Sequence, residues 1–139
     1  MLTIESKTGI ARGSQETVFA YISDFRNFSG LLPREHMNDL EISPERITFS
    51  IQGLGMVGLL IRDKKPSSEL TISATEDSSA DFTFTIHIRE AGQDRSEVQL
   101  NLVAKLNMFI ELMARNPLQQ FVDLVVDKLG MVDFGKPAS

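Results

Sequence analysis

Strict alternation of apolar and polar residues through the middle of the chain constrains its fold more than any other feature. The clearest run, DFTFTIHIRE at 81–90, places an apolar residue at every second position. Runs at 46–52, 57–63, 69–75 and 97–106 follow the same period. Because successive side chains of a strand point to opposite faces, each run predicts a strand with one apolar face. Short, turn-rich connections between the runs predict an antiparallel meander.

Two helical stretches are predicted between a first strand at 2–9 and this meander. In ARGSQETVFAYISDF, at 11–25, Ser14 is placed to cap a helix. The segment FRNFSGLL, at 25–32, predicts a second short helix. Pro33 ends it, because the residue before a proline is disfavoured in helical angles.

The last third of the chain predicts one more helical region. Apolar residues recur at helical spacing through NMFIELMARNPLQQFVDLVVDKLG, at 107–130. Pro117 interrupts this pattern, since proline is tolerated in a first helical turn but not in a helix interior. We therefore predict a short helix at 108–115, a break or kink, and a longer helix at 117–129 with Asn116 as its cap.

The end of the chain and the order of elements complete the predicted architecture. Gly130 stands where glycine commonly ends a helix, and residues 131–139 are predicted to form a loosely ordered tail. Strands followed by a segregated helix indicate an α+β fold. We expect a single domain over 1–139, in which a curved antiparallel sheet of about seven strands wraps around a long C-terminal helix.

Three segments carry a resemblance to a known superfamily: TGIARGSQETVFAYISDFRNFSGLLP at 8–33, FSIQGLGMVGLLI at 49–61 and NPLQQFVDLVVDKL at 116–129. Over 2–129 the order of elements resembles the helix-grip fold of the START and birch-pollen-allergen superfamily, also called SRPBCC or polyketide-cyclase-like proteins. The resemblance implies a cavity between the sheet and the long helix, typically for lipids or other apolar small molecules. It does not imply one reaction, because a fold alone does not determine a function.

Composition excludes several classes of function. The 139 residues include no cysteine, which excludes disulfide scaffolds, zinc–thiolate sites and thiol catalysis. The net charge of −5 argues against nucleic-acid binding, because neutralisation of phosphates supplies most of that affinity. No run approaches the roughly 18 apolar residues of a membrane span. The first residues lack the basic and apolar regions of a signal peptide, so we expect a cytoplasmic protein.

The segment IQGLGMVGLLI, at 51–61, contains the pattern G-x-G-x-x-G at Gly53, Gly55 and Gly58. That spacing marks a dinucleotide site when a helix follows it. Here LLIRDKKP follows, which predicts a second strand ending at Pro66. We therefore predict a hairpin, in which the glycines supply a positive φ or a bulge, and no nucleotide cofactor.

The titratable side chains form no recognisable catalytic or metal-binding set. His87 falls on the polar face of its strand and is expected in solvent, as is His36 in a loop. The apolar faces of the strands carry no acidic residue, where the general acid of a dry pocket would stand. We expect no catalytic residue, cofactor or metal, and an enzyme would have to use His36, Glu35 or Asp39.

The uninterrupted apolar faces are the strongest functional signal in the chain. Pockets for small ligands are mostly apolar, although the same faces also suit a fully packed core. From the sheet, the long helix and the entrance, the predicted cavity lining consists of Phe49, Ile51, Leu59, Ile61, Leu70, Ile72, Phe84, Ile86, Leu100, Leu102, Phe121, Val125, Phe25, Phe28 and Leu32.

Three functions remain open at this point. The first is a binding or carrier protein for a lipid-like or other apolar small molecule. The second is a cyclase or dehydratase type of enzyme that uses the same cavity. The third is an interaction module with a packed core, which includes a homodimer through a sheet edge or the tail. Met108, Phe109 and Met113 would either fill the core, as apolar helix faces ordinarily do, or form an adaptable end of the pocket.

Overall fold

The structure is a computed structural model that describes residues 1–30, 32, 34–51 and 55–134, with only the backbone described at 29, 30 and 36. Its elements are β1 (Leu2–Glu5), β2 (Gly9–Ala11), α1 (Gln15–Ile22), two 3₁₀ turns (Phe25–Gly30 and Arg34–His36), β3 (Asn38–Ile42), β4 (Arg46–Ile51), β5 (Gly55–Lys65), β6 (Glu69–Ala74), β7 (Asp81–Glu90), β8 (Ser96–Lys105) and α2 (Met108–Met131).

The strands of the described residues form one antiparallel sheet in the order β1-β8-β7-β6-β5-β4-β3, with β2 also paired to β8. The predicted first strand is two strands, which separate at Ser6. The Ser6 amide donates to the Leu100 carbonyl (2.8 Å), and the Ser6 hydroxyl accepts from the Leu100 amide (2.8 Å). With the long helix α2, this arrangement confirms the predicted α+β helix-grip architecture.

The register of the central strands places the apolar residues on one face. Phe84 lies opposite Leu102, and Ile86 lies opposite Leu100. A slip of one residue would move every apolar side chain of a strand to the other face, so burial of this face specifies the pairing. Two helices cover different parts of this face. The helix α2 packs against β1, β2 and β8, and α1 packs against β6 and β7.

The core is tightest beneath α1 and the second half of α2. Val18 and Ile22 of α1 and Val122 and Leu129 of α2 are completely buried. Burying one aliphatic side chain of this kind contributes about 1.5–3 kcal/mol. This end of the sheet is therefore closed by well-packed side chains.

The predicted break in the C-terminal helix is wrong. The helix α2 continues through Pro117, and Asn107 caps it by accepting a hydrogen bond from the Ile110 amide (2.9 Å). Proline deprives the Met113 carbonyl of its helical donor. Because Met113 and Pro117 are both exposed, water can satisfy that carbonyl without a break in the helix.

The predicted helix stop at Gly130 is also two residues early. The helix ends at Met131, followed by Val132, whose amide donates to the Leu129 carbonyl (3.4 Å). A Cβ at Gly130 would lie 3.1 Å from the Ile10 carbonyl oxygen, so glycine here allows the helix to approach β2.

The predicted tail begins in ordered structure. Met131 belongs to α2, and the ring of Phe134 packs edge-on against Tyr21, with centroids 5.1 Å apart. Residues 135–139 lie outside the described part of the chain.

The second predicted helix is a 3₁₀ turn rather than an α-helix. Asp24 starts this turn by accepting from the Arg26 amide (3.0 Å), and the Phe25 amide donates to the Pro44 carbonyl (2.8 Å). This long-range bond gives a partner to an amide at the start of the turn, which has no acceptor within the turn itself. Pro33, the predicted stop, lies outside the described residues.

Candidate functional site

A cavity of about 430 Å³ lies between the sheet and the first half of α2. It occupies the end of the concave face that α1 and the second half of α2 leave uncovered. Every described residue that lines it is apolar. The described lining consists of Leu32, Met37, Phe49, Ile51, Val57, Leu59, Ala80, Phe82, Phe84, Leu102, Ala104, Leu106, Ile110, Ala114, Pro117, Leu118 and Phe121.

Aromatic contacts form the inner wall of this cavity. The rings of Phe84 and Phe121 meet edge to face with centroids 6.0 Å apart, and Phe82 meets Phe84 in the same way at 5.5 Å. Beyond Phe121 the helix continues with the buried residues Val122 and Val125. The contact between Phe84 and Phe121 therefore marks the boundary between the packed core and the cavity.

The glycine-containing hairpin builds another wall. The strands β4 and β5 are antiparallel, with Phe49 opposite Val57 and Ile51 opposite Gly55. Gly55 has a φ of 103°, as a turn residue needs, and β5 continues past Gly58 as a strand. The prediction of a hairpin in place of a nucleotide-binding turn is confirmed, although Gly53 lies outside the described residues.

No protein-family model matches the chain. No curated protein matches its sequence. Solved structures do match. They include the protein XoxI from Bacillus cereus (TM-score 0.70, 14% identity, 94% of each chain covered) and a START superfamily protein from Mycobacterium smegmatis (TM-score 0.61, 16% identity, covering 91% of this chain and 98% of that one). A norcoclaurine synthase from Thalictrum, solved with a transition-state analogue, also matches (TM-score 0.63, 13% identity, covering 92% of this chain and 93% of that one).

The chain has the helix-grip fold, which it shares with these structures. Its identity to these structures is low, so the likeness concerns the fold, and the function has to be argued from the side chains of the site.

The structure divides the predicted lining of this helix-grip fold into two groups. One group surrounds the cavity: Leu32, Phe49, Ile51, Leu59, Phe84, Leu102 and Phe121. The other group is buried in the core away from it: Phe25, Phe28, Ile61, Leu70, Ile72, Ile86, Leu100 and Val125. Alternation identifies the face of a strand that points inwards. It carries no information on which end of that face is covered.

Sequence reasoning did not single out the remaining lining residues, which are Met37, Val57, Ala80, Phe82, Ala104, Leu106, Ile110, Ala114, Pro117 and Leu118. The small size of some of these side chains is the sequence signal that would have identified them. Ala104 stands between Leu102 and Leu106 on the inward face of its strand, and Ala114 lines the cavity from the helix. These small side chains leave space in the cavity that larger side chains at the same positions would fill.

Two of the three side chains that acid–base catalysis would need stand apart from the cavity. Glu35 and Asp39 are exposed and do not contribute to its lining, and the side chain of His36 is not described. His87 lies on the outer face of the sheet with about 34% of its side chain exposed, as predicted. Its Nε2 is 3.1 Å from the side-chain amide nitrogen of Asn101.

The described groups with a shifted pKa lie outside the cavity. The hydrogen bonds from Arg26 lower the pKa of Asp24, and the Thr75 hydroxyl, 2.6 Å away, lowers the pKa of Asp77. Burial raises the pKa of Tyr21. Among the residues that the structure describes, no three histidine or carboxylate side chains gather as metal ligands, and no helix is long and apolar enough to span a bilayer.

The first half of α2 is the most exposed apolar segment of the helix-grip fold. Exposed fractions are 78% for Met108, 74% for Phe109, 75% for Leu112 and 67% for Met113. The expectation that the methionines and Phe109 fill the core is therefore wrong, and none of them lines the cavity. The reason is geometric, because only the side of the helix that carries Ile110, Ala114 and Pro117 faces the sheet.

Proposed function

We propose that this protein binds an apolar small molecule, or the apolar part of a lipid-like molecule, in the cavity between the sheet and α2. The observation that carries the proposal is the lining of the 430 Å³ cavity, in which every described side chain is apolar. Apolar cavities of this kind do not fill with ordered water, and they bind apolar molecules. A few placed polar groups usually fix a ligand's orientation, and here they would have to lie outside the cavity.

The volume limits the part of the ligand that enters. A methylene group occupies about as much space as a water molecule, roughly 30 Å³, so the cavity accepts on the order of a dozen carbon atoms. A polar group carried inside would lose its hydrogen bonds to water and find no partner, at a cost of about 2–7 kcal/mol. The ligand is therefore a hydrocarbon chain or ring system whose polar end stays at the rim.

The expected affinity is moderate. Burial of about ten methylene groups contributes on the order of 8 kcal/mol. Loss of translational and rotational freedom opposes this by at least about 4 kcal/mol. We expect dissociation constants in the millimolar range for a simple chain, and tighter binding, towards the micromolar range, if the polar end makes contacts at the rim.

The proposal is for binding and carriage and not for catalysis, because the described lining contains no group that can donate or accept a proton. Retention of a ligand is the first measurement. Native mass spectrometry of the purified protein, followed by solvent extraction, should detect an apolar molecule that has co-purified with it. If the cavity is empty, the protein should bind added dansylaminoundecanoic acid. A protein that neither retains nor takes up such a molecule would contradict the proposal.

A substitution that fills the cavity tests the location. Ala114 lines the cavity from α2, whereas Ala20 is exposed on α1. Ala114→Phe should weaken binding of dansylaminoundecanoic acid about tenfold or more, because the new ring occupies the space of the ligand, with little loss of folding stability. The matched variant Ala20→Phe adds the same ring at the surface and should leave binding unchanged. Equal binding by the two variants would place the ligand elsewhere.

A further inference from the structure

The first half of α2 is apolar around most of its circumference. At 100° per residue, Met108, Leu112, Phe109 and Met113 cover one side of the helix, and Ile110, Ala114 and Pro117 cover the next side, which faces the cavity. Over residues 108–115 only Glu111 and Arg115 occupy the remaining side, and the exposed Asn116 ends the apolar surface one turn beyond Leu112. A helix that is apolar nearly all round is normally buried, yet these four outer side chains are exposed. We call Met108, Phe109, Leu112 and Met113 the α2 apolar patch.

The α2 apolar patch is continuous with the rim of the cavity. Ile110 and Pro117 line the cavity and are themselves exposed, so they stand at its rim. Met113 lies three residues after Ile110 and four before Pro117, which makes it a neighbour of both on the helix surface. Whatever covers the patch therefore also lies against the opening of the cavity.

The size of the patch argues against a second copy of the chain as its cover. Four side chains about three-quarters exposed present on the order of 500–600 Å². A stable interface buries about 800 Å² on each partner. A sheet edge was one of the two predicted routes to a dimer, and the edge strand β3 is short and carries the exposed residues Asp39 and Glu41. Acidic side chains on an edge strand oppose its pairing with another chain.

The charges beside the patch permit contact with an anionic lipid surface although the whole chain carries −5. Glu111 lies 3.3 Å from the amino group of Met1, and Asp81 lies 3.8 Å from the amino group of Lys105. Arg115 is exposed on α2 and adds a positive charge. Long cationic side chains beside an apolar helix surface reach lipid headgroups while their stems pack on the apolar side.

We propose that the α2 apolar patch inserts into the surface of a lipid bilayer. Helices of this kind lie in the interface with their apolar side chains among the headgroups and upper acyl chains. In this orientation the rim at Ile110 and Pro117 meets the apolar layer, and a ligand enters the cavity without crossing water. Docking follows from the patch alone, whereas the route of the ligand rests on the proposed function.

Co-sedimentation with vesicles tests the docking. We expect the full chain to bind vesicles of phosphatidylcholine mixed with phosphatidylglycerol more strongly than vesicles of phosphatidylcholine alone. The double variant Phe109→Asp with Met113→Asp should reduce binding about tenfold or more. The matched control is Met131→Asp, since Met131 belongs to the same helix, is 73% exposed and lies outside the patch. This control should bind as the unsubstituted chain does.

Three results would overturn the proposal. The first is failure of the unsubstituted chain to bind either vesicle, and the second is equal loss of binding in the double variant and in Met131→Asp. The third is a dimer of the unsubstituted chain in light scattering that the double variant converts to monomer, because a second copy would then cover the patch. Thermal unfolding followed by circular dichroism verifies that each variant is folded.

The same variants separate this proposal from the proposed function. Dansylaminoundecanoic acid, added in solution without vesicles, should bind equally to the double variant and to the unsubstituted chain. Ala114→Phe should bind vesicles normally and lose the fluorescent acid. Failure of vesicle binding alone removes the docking proposal, and failure of ligand binding alone removes the cavity proposal.

Discussion

At the scale of a single residue, Gly58 belongs to a sequence pattern typical of nucleotide-binding turns, but its role in this structure is to make room for a neighbouring side chain. A Cβ at this position would collide with the side chain of Thr75, whose own Cβ would be 3.1 Å away. Thr75 is buried, its amide donates to the Gly58 carbonyl (3.1 Å), and its hydroxyl donates to Asp77 (2.6 Å). The glycine therefore makes room for a threonine that fixes the following turn.

Substitution of Gly58 tests this role. Gly58→Ala should lower the free energy of unfolding by about 1–3 kcal/mol, because the added methyl group overpacks against Thr75. Thr75→Ala in the same chain removes the colliding atoms, so the double variant should lose less than the sum of the two single variants. Urea denaturation of the four proteins measures this coupling. Additive losses would mean that Thr75 is not the obstacle.

At the scale of the element, α2 shows that tertiary contacts can outweigh the helix-breaking preference of a proline. A proline in a helix interior predicts a break, yet the helix continues through Pro117 because its ends are held independently. Asn107 caps the first turn, and the second half is anchored by buried residues such as Val122 and Leu129. Pro117 therefore lowers the stability of α2 in the segment that covers the cavity.

Removal of the proline should relieve that cost. Pro117→Ala restores a donor for the Met113 carbonyl and should raise the free energy of unfolding by about 1–3 kcal/mol. Gln120→Ala, at an exposed position one turn further on, should change it by less than about 0.5 kcal/mol. Urea denaturation measures the free energy of unfolding of both variants and of the unsubstituted chain. Equal effects of the two substitutions would show that the helix bears no strain at Pro117.

The element scale also shows how far sequence alone reaches. Alternation predicted the strands and their inward faces, because a period of two follows from the pleat of any strand. It could not distinguish Phe84, which lines the cavity, from Ile86, which is packed two residues later on the same face. That difference depends on the path of α2 across the sheet, which is set by long-range contacts.

At the scale of the whole molecule, the fold has a packed end and an open end. The packed end brings α1 and the second half of α2 onto the sheet, with Val18, Ile22, Val122 and Leu129 completely buried. The open end holds the cavity beneath the first half of α2, whose outer side chains are exposed. Local opening is easiest where few apolar contacts hold an element, so the two halves of one helix should differ in local stability.

Hydrogen exchange measures this difference. Amides at 122–129 should exchange about tenfold or more slowly than those at 110–116, since the first group lies over the packed core and the second over a cavity. Dansylaminoundecanoic acid should slow exchange at 110–116 and leave 122–129 unchanged, because a ligand stabilises the contacts that it makes. Uniform protection along α2, with or without the acid, would contradict a division of this kind.

The absence of hydrogen-bonding side chains from the described cavity lining has a consequence for selectivity. A site built from polar contacts rejects a molecule that lacks one of its groups by several orders of magnitude, whereas an apolar pocket distinguishes one missing methylene by only about 1–3 kcal/mol. Molecules of similar length and bulk would therefore compete on nearly equal terms for the space between Phe121 and the rim. Under the proposed function, the local abundance of these molecules in the cell, more than recognition, would determine which of them is bound.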